Sequence, residues 1–401
     1  MWLIFLLLIT VPFIPYSKQS ISPEDISSVT EVLSSDFLTQ GPKIEDFENE
    51  LSEHFNVKHA VCCSSGTSAL HLSYASLGVG QKSIGIVPAI TFAATANAFR
   101  YQGARVIFCD VEPETGNLCL NSLEEILQQI SPKQKDEVNL ISPVSFAGCV
   151  GPLDECKKLA AMHDFKIVED ASHSTGAWKK TQDDELITSG SCKYTDASCL
   201  SFHPVKHLCC GEGGAILTNS SHLAEKSRNL RSHGISRPYS EDHPTPWFYE
   251  QLELGWNYRM TDLQATLGIS QLSRLDHFLN QRTKLASRYD QYFAEKRFSE
   301  HIIRPVFEKG HAWHLYIIRF KKEGFRDMAH KYLKSKGIGS QIHYLPVYRH
   351  PYYEGIYGRI RLSGAETFYS GCLSIPLYCD LMEKDQDRVV EELYNFLTSE
   401  M

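Results

Sequence analysis

The stretch between His59 and Asn219 alternates short apolar runs with segments of helical periodicity. Runs such as SIGIVPA, ARVIFCDV and KIVEDAS are short and rich in β-branched residues, which is typical of buried strands. Between them, segments such as SALHLSYASLG and CKKLAAMHDF carry apolar residues at helical spacing. Strands that alternate with helices predict a mainly parallel sheet covered on both faces. Ligands of such sheets bind at the carboxyl ends of the strands, so we expect the functional site there.

The pattern changes in the last third of the chain, where a long helical stretch precedes shorter strands and helices. This stretch begins with MTDLQATLG, and the chain closes with an amphipathic helix over Glu383 to Leu397. We predict three parts: an apolar N-terminal appendage at residues 1–14, a large domain at residues 15–255, and a small α+β domain with a linking helix at residues 256–401. A chain of 401 residues is long enough to bury two such cores.

The first 14 residues, MWLIFLLLITVPFI, are almost wholly apolar. The run is shorter than the about 20 residues of a membrane-spanning helix. It also lacks the basic start and the small-residue cleavage site of an export signal. Three interpretations remain: an atypical signal or membrane anchor, an extra N-terminal arm, or an unusual start site. We expect an appendage on a cytoplasmic protein.

Charge and cysteine content exclude two other kinds of site. The formal net charge is −8, and no block of Lys or Arg interleaves with aromatic residues, so a nucleic-acid surface is not expected. The 12 cysteines show no CxxC pair with zinc-like spacing, so we predict no metal site. Two cysteine pairs, Cys62-Cys63 and Cys209-Cys210, are adjacent and bridge only with strain, so reduced thiols are expected.

The segment SSGTSALHLSYASLG, residues 64–78, follows an apolar strand. Gly66 permits a tight turn, and Thr67 and Ser68 begin a helix whose free N–H groups form a seat for phosphate. Capping of the helix by the same hydroxyl side chains is a sufficient alternative explanation. No GK[ST] follows, so the segment is not a Walker loop.

The segment KIVEDASHSTGA, residues 166–177, runs from a buried strand directly into Glu169, Asp170 and His173. Carboxylates at the end of such a strand face the usual ligand crevice. Asp170 is placed to hold a positively charged ring nitrogen of a cofactor. The alternative is a helix N-cap or a buried ion pair.

Lys206 stands between an apolar strand that ends near Phe202 and the glycine cluster of CCGEGG. The reference pKa of lysine is about 10.4, so a nucleophilic lysine must be desolvated or lie beside another cation. Enzymes use such lysines to form Schiff bases. Taken alone, a solvated surface lysine is the simpler interpretation.

Together, the three segments indicate a function more strongly than each does alone. A phosphate seat, a carboxylate for a ring nitrogen and a lysine, in this order on one sheet, are what pyridoxal phosphate requires. Phe92 follows another strand in VPAITFAATANA and is placed either to cover the cofactor ring or to pack in the core.

The sequence resembles the DegT-like sugar-nucleotide aminotransferases, a family of fold-type I pyridoxal phosphate enzymes. The resemblance runs from about residue 14 to the C-terminus, and the motifs that carry it are FLTQGPKIEDFE, SSGTSALH, PAITFAATANA, VEDASHSTGA, SFHPVKHLCCGEGGAILTN, RSHGI and GWNYRMTDLQATLGISQL. Within the family, IPYSKQSI, SQIHYLPVY and LSIPLY are similar to members of pseudaminic acid synthesis. The implied fold is a large domain with a mainly parallel seven-stranded sheet and a smaller C-terminal α+β domain.

The resemblance also implies a role for each site residue. Lys206 would hold pyridoxal phosphate as a covalent Schiff base and later move the proton, Asp170 would pair with the pyridine nitrogen, and His173 would lie beside them. The cofactor pocket would be completed by Gly66, Thr67, Ser68, Phe92 and Ser201, with Asn257 reaching the phosphate of the other subunit. The substrate would be contacted by Tyr16, Asp36, Phe37, Leu38, Thr39, Gln341, Ile342, His343 and Tyr344.

The implied reaction moves an amino group from L-glutamate to the 4-keto carbon of a UDP-linked 2-acetamido-2,6-dideoxy-hexos-4-ulose, in a homodimer with shared active sites. His203, His207 and His343 are expected to orient substrate or to pack, and Cys209-Cys210 stand where the family commonly has small or hydroxyl residues. One alternative is a transaminase for another keto nucleotide sugar, such as a perosamine-type sugar. The other is a non-catalytic regulatory or sugar-binding relative.

Overall fold

The computed structural model describes residues 12–130, 138–181, 183–236 and 244–400. Residues 1–11 of the predicted appendage lie outside the described residues. The α-helices are α1 Pro23–Leu33, α2 Pro42–Phe55, α3 Gly66–Ser76, α4 Ala93–Tyr101, α5 Leu120–Gln129, α6 Leu153–His163, α7 Ser221–Arg231, α8 Asp262–Leu272, α9 Leu275–Ala294, α10 Lys296–Ser299, α11 Phe325–Ser335, α12 Pro351–Tyr357, α13 Ser363–Gly371 and α14 Glu383–Ser399. The strands are β1 His59–Cys63, β2 Ile84–Pro88, β3 Arg105–Cys109, β4 Asn139–Ile141, β5 Phe165–Asp170, β6 Trp178–Lys180, β7 Leu186–Thr188, β8 Ala197–Ser201, β9 Gly214–Thr218, β10 Ile235–Ser236, β11 Glu250–Gln251, β12 Ile302–Ile303, β13 Tyr316–Phe320 and β14 Cys372–Ile375.

Seven strands form the main sheet, in the order β1-β9-β8-β5-β4-β2-β3. The pairs from β8 to β3 are parallel. Only β9 among these seven runs the other way, antiparallel to both β1 and β8. The predicted α/β fold with a mainly parallel seven-stranded sheet is therefore confirmed.

Helices cover both faces of this sheet, as the strand composition requires. Along β2, Val87 belongs to the core cluster that contains side chains of α3, α4 and α7, whereas its neighbour Ile86 belongs to the cluster with α5 and α6. Successive side chains of a strand point to opposite faces, so an uninterrupted apolar run serves both layers. At the β1 end of the sheet, α2 and α8 cover the second face.

The C-terminal part of the chain builds a second core around the three-stranded antiparallel sheet β12-β13-β14. Helices α9, α11 and α14 pack on this sheet through side chains such as Tyr289, Leu333 and Phe396. The result is a small α+β unit, in agreement with the implied architecture.

The helical run that links the two cores is two helices rather than one. α8 packs against α1 and α2 and buries Ala265 and Leu272 in the large core. After Ser273 and Arg274 the chain resumes as α9, whose Tyr289 lies in the small core. Leu275 at the start of α9 still packs in the large core, so α9 itself runs from one core to the other.

Ile14 belongs to the small unit, which is not expected of a free appendage. Its N–H donates to Gly337 O at 2.9 Å, and Gly339 N–H donates to Ile14 O at 2.7 Å. Its side chain is buried in the small core. The described chain therefore starts in the small unit, and Tyr16 and Ser17 already contact the large unit before α1 begins.

Two features bear on the remaining expectations from the sequence. Among the described helices, none has both the length and the apolar character needed to cross a bilayer. All 12 cysteines are free thiols, and Cys62, Cys63 and Cys210 are fully enclosed, so burial raises the pKa of each of these three thiols.

Candidate active site

The three polar segments singled out in the sequence meet at one edge of the sheet. β1, β5 and β8 run in the same direction and end at Cys63, Asp170 and Ser201. A cavity of about 600 Å³ opens beyond these ends. That position and that volume are typical of small-molecule sites in parallel sheets.

The helix α3 presents its N-terminus to this cavity. Ser65 is the N-cap: its Oγ accepts a hydrogen bond from Ser68 N–H at 3.1 Å, and Ser68 Oγ accepts one from Ser65 N–H at 2.8 Å. Gly66 and Thr67 line the cavity, and the first N–H groups of a helix have no carbonyl partner within it. This arrangement binds anions such as phosphate. Ser68 is not among the residues that line the cavity, because its hydroxyl takes part in the capping box, and its role in holding the cofactor stays a prediction.

Two glycines allow the close approach that the site requires. A Cβ built on Gly66 would lie 2.7 Å from Ser201 Cβ, and one on Gly214 would lie 2.4 Å from Ser65 O. Both distances are shorter than any ordinary contact between non-bonded atoms, so larger residues would push α3 away from β8 and β9. The absence of a side chain at these two glycines therefore allows the Ser201 hydroxyl to lie next to the start of α3.

Asp170 is held rigidly where β5 ends. Its Oδ2 accepts a hydrogen bond from Thr95 Oγ1 at 2.7 Å, and its Oδ1 accepts one from Ser172 N–H at 3.1 Å. Its neighbour Glu169 points to the opposite face, where Ser189 Oγ and Ser198 Oγ donate to the buried carboxylate at 2.6 and 2.8 Å. The alternation of the strand thus gives one carboxylate to the cavity and the other to the core.

Lys206 lies in a tight turn after β8. Its N–H donates to His203 O at 2.8 Å, and Cys210 N–H donates to Phe202 O at 2.9 Å, which returns the chain toward β9. Burial lowers the pKa of the Lys206 amine to about 8, and the negative charge of Asp170 offsets part of this effect. The lysine is therefore no solvated surface charge, and a substantial fraction of it is neutral in mildly alkaline solution.

His173 lines the same cavity as Lys206 and lies in a cluster of buried rings. Its Nε2 is 3.2 Å from Tyr344 Oη, and its ring centroid is 4.4 Å from that of His314. Burial, and to a lesser extent the charge of Lys206, lower the pKa of His173 well below the ordinary value. The imidazole is neutral at physiological pH. Within the described part of the chain, no group of three or more His, Cys, Asp or Glu side chains is arranged for a metal ion.

The small unit closes the cavity from the other side. Tyr16 and the segment Gln341–Tyr344 line it, with Tyr16 and His343 rings 5.6 Å apart. His343 Nδ1 is 2.7 Å from Ser374 Oγ on β14, so the segment is fixed to the small sheet. Phe92 faces the same space, 58% exposed, with its ring 6.0 Å from that of Tyr344.

Two predicted elements lie outside the cavity of their own chain. The segment Asp36–Thr39 is exposed, and Thr39 forms a β-bridge with Thr261. Asn257 is also exposed and forms a bridge with Ser232. The single chain does not bring either element to Lys206, so their roles stay predictions.

Several residues that line the cavity were not predicted as site residues from the sequence. They are Ser65, Leu70, Thr91, Ala94, Val144, Ser172, Val205 and Glu212. The spacing of Thr91 and Thr95 in TFAAT was a usable signal, since Thr91 Oγ1 lies 2.8 Å from the Thr95 Oγ1 that binds Asp170. For Val205 and Glu212, only the folded turn shows which side chains face inward.

Residues 19–394 match the DegT/DnrJ/EryC1/StrS aminotransferase family. The chain belongs to this family. The match covers both units and every residue that lines the cavity except Tyr16. The resemblance stated on the motifs alone is thereby confirmed.

Relatives of known sequence and structure share nearly the whole chain. The UDP-4-amino-4,6-dideoxy-N-acetyl-beta-L-altrosamine transaminase of Campylobacter jejuni is 38% identical over 389 residues, which cover 95% of this chain and 97% of the relative. PseC of Helicobacter pylori, an aminotransferase involved in pseudoaminic acid biosynthesis, is 29% identical with a TM-score of 0.85 and covers 96% of this chain and 100% of its own. The putative sugar aminotransferase Spr1654 of Streptococcus pneumoniae, in its PMP form, is 26% identical with a TM-score of 0.87 and covers 97% and 100%.

Proposed function

We propose that this chain is a nucleotide-sugar aminotransferase. It moves an amino group from L-glutamate to the 4-keto carbon of UDP-2-acetamido-2,6-dideoxy-hexos-4-ulose, a step of pseudaminic acid-type sugar synthesis. The observation that carries the proposal is one cavity that holds a half-buried lysine with a desolvated amine, a fixed carboxylate and a helix N-terminus. The 38% identity to a transaminase of this sugar class supports the choice of substrate.

The residues present fit pyridoxal phosphate. The N-terminus of α3 with Thr67 and Ser201 provides for the phosphate, and Asp170 provides for a protonated ring nitrogen. Phe92 has an exposed ring face in the cavity, and Lys206 has an amine for the Schiff base. When bound, the cofactor carries the amino group between the two substrates and takes up the electrons released when a proton leaves carbon.

Lys206 performs the proton transfer in this proposal. A base that removes and returns a proton works best when its pKa lies near the working pH. Burial brings the pKa of the Lys206 amine to about 8 and so places it in that range. Asp170 is held by Thr95 and Ser172 and cannot turn toward the lysine without losing both hydrogen bonds.

The small unit is proposed to bind the nucleotide sugar. Tyr16 and Gln341 offer polar groups at the side of the cavity opposite the strands, and Gln341 is exposed. Tyr344 links this side to His173 through its hydroxyl. A substrate that contacts both units would close them over Lys206 and exclude water.

We also propose a homodimer with shared active sites. Asn257 is exposed, while its neighbours Trp256 and Tyr258 stack on each other and contact His71 in their own chain. Leu254, three residues before Asn257, and Phe37, within the segment Asp36–Thr39, are exposed apolar side chains. In a dimer, Asn257 and residues 36–39 of one subunit would complete the cavity of the other. We place the reaction in the cytoplasm, where UDP-sugars, glutamate and the cofactor are found.

The choice of sugar is tested by offering purified protein, pyridoxal phosphate and glutamate three 4-keto sugars. They are two UDP-2-acetamido-2,6-dideoxy-4-keto hexoses that differ in configuration at carbon 5, and a GDP-linked perosamine-type precursor. We expect amination of a UDP-linked sugar, with the position and stereochemistry of the new amine read by NMR. Faster amination of the GDP-linked sugar would favour the perosamine-type alternative, and binding without amination would favour the regulatory one.

A further inference from the structure

Lys206 also lines a second, smaller cavity. This back cavity is lined by Lys18, Gln19, Ser20, Lys206, His207, Cys209, Gln271, Phe278, Arg282 and Cys379. Among these residues only Lys206 also lines the main cavity. The lysine therefore stands between two spaces, one for substrate and one without a role in the proposed function.

The size of the back cavity suits a single water molecule. It offers about 10 Å³ to the centre of a water molecule, and roughly 10–15 Å³ of such space holds one water. Lys18 and Gln19 at its outer side are exposed, so the space leads toward bulk solvent. It is too small for a substrate.

His207 also lines this space. Its Nε2 lies 2.9 Å from Ala312 O, and because a carbonyl only accepts, Nε2 carries the proton. Burial lowers the pKa of His207 well below the ordinary value, so the ring is neutral and its Nδ1 is an acceptor. Within the described chain Nδ1 is buried and has no partner. A buried acceptor without a donor is costly, and bound water is the usual partner.

We propose that the back cavity holds a water molecule on His207 Nδ1, and that this water exchanges protons between the Lys206 amine and solvent. The inference rests on the proposed transaminase function. After Lys206 takes a proton from the donor amino acid, its ammonium gives one proton to the water, and the water passes one of its own protons outward. A solvent proton returns to the lysine by the same route. No bond other than N–H and O–H changes, and the charge on each partner is restored.

Deuterium partition in a single turnover tests the exchange. The enzyme loaded with pyridoxal phosphate receives L-glutamate deuterated at carbon 2 in ordinary water, and the released pyridoxamine phosphate is analysed by mass spectrometry. The Lys206 ammonium would carry one deuterium and two hydrogens, so without exchange about a third of the product would keep deuterium at the carbon that receives the proton. We expect a much smaller deuterated fraction in the wild-type enzyme. The total amount of product reports the amine transfer, and the deuterated fraction reports the exchange.

Two variants of His207 distinguish the roles of its two ring nitrogens. His207→Gln keeps an N–H near the position of Nε2 for Ala312 but lacks the acceptor at Nδ1, whereas His207→Asn keeps an acceptor near Nδ1 and loses the Ala312 bond. We expect the deuterated fraction to rise severalfold in the Gln variant and to remain near the wild-type value in the Asn variant. Equal fractions in wild type and the Gln variant would overturn the relay.

A second pair of variants does not depend on His207. Cys379→Met fills the back cavity, and Cys119→Met makes the same change at a similarly half-buried cysteine outside both cavities. Only the first is expected to raise the deuterated fraction. A crystal structure of the apoprotein at a resolution that shows ordered water should place a water on His207 Nδ1.

The outcomes distinguish the two proposals. Formation of pyridoxamine phosphate with the same deuterated fraction in all variants, or a crystal structure without the water, contradicts the relay alone. Failure of wild-type protein to form any pyridoxamine phosphate contradicts the proposed function, and the relay with it.

Discussion

Lys206 differs from an ordinary lysine in what surrounds its amine. In the folded chain burial lowers its pKa to about 8, while an unfolded chain leaves the amine in water. The free energy of this shift opposes folding, since at neutral pH a charged group is held where water is scarce. The chain therefore keeps a destabilising residue at its reactive position, as functional sites often do.

The stability of the apoprotein should report this effect. The folded pKa is lowered, so between pH of about 8 and the ordinary value of 10.5 the unfolded state binds more protons, and stability rises with pH across that window. Lys206→Met should raise the free energy of unfolding at neutral pH by up to about 3 kcal/mol. The gain should shrink as pH rises through the same window.

The measurement is denaturant unfolding of apoprotein at several pH values. Lys331→Met, at an exposed lysine of α11, is the matched control and should show no such pH-dependent gain. A gain in Lys206→Met that is constant from neutral to strongly alkaline pH would mean that the amine is not held in a desolvated place.

At the scale of the element, the start of α3 both stabilises the fold and contributes to the candidate site. The capping box of Ser65 and Ser68 fixes the first turn, and the same turn points its N–H groups into the cavity. α1 begins with an equivalent box, in which Ser22 Oγ accepts from Asp25 N–H at 3.3 Å, but it lies away from the site. The two helices thus form a natural pair for comparison.

Ser65→Ala and Ser22→Ala should each lower the free energy of unfolding by about 1 kcal/mol, because each removes an N-cap. Only Ser65→Ala should also weaken binding of pyridoxal phosphate, measured by titration of apoprotein, since only α3 seats the phosphate. Equal loss of cofactor affinity in both variants would show that α3 has no special part in binding.

Elements that depend on local sequence were predictable, and those that depend on distant packing were not. A few neighbouring residues are enough to predict the capping pattern, the strand that ends at Asp170 and the glycine turn after Lys206. The ring of His314 against His173 was not, because 141 residues separate them and only the packing of the small unit on the large one joins them. The orientation of Ser68 was not predictable either, because a motif identifies a hydroxyl but not the direction in which a helix turns it.

At the scale of the whole molecule, the site is a contact between units. The large unit provides Lys206 and Asp170, and the small unit provides Tyr16 and Tyr344. The start of the described chain is fixed to the small unit through Ile14, and Tyr16 packs against the large core, so Tyr16 bridges the two units. Asn257 remains exposed in a single chain, which leaves room for a second copy.

Shared sites can be tested by mixing two inactive variants. Lys206→Ala and Asn257→Ala are each expected to have little activity, but a mixed dimer contains one cavity in which both residues are native. Random mixing makes half of the dimers mixed, with one such site out of two, so recovery of about a quarter of wild-type activity is expected. Each variant refolded with itself is the control. No recovery in isolated mixed dimers would mean that each cavity is complete within one chain.

The most direct test of the central claim is to find where the cofactor is attached. Purified wild-type protein with pyridoxal phosphate should absorb in the visible as a Schiff base, and borohydride should remove this band and fix the cofactor to the peptide that contains Lys206. Lys206→Ala should retain no covalent cofactor after the same treatment. Reduction onto another lysine, or no attachment in the wild type, would contradict the assignment of Lys206 as the reactive amine.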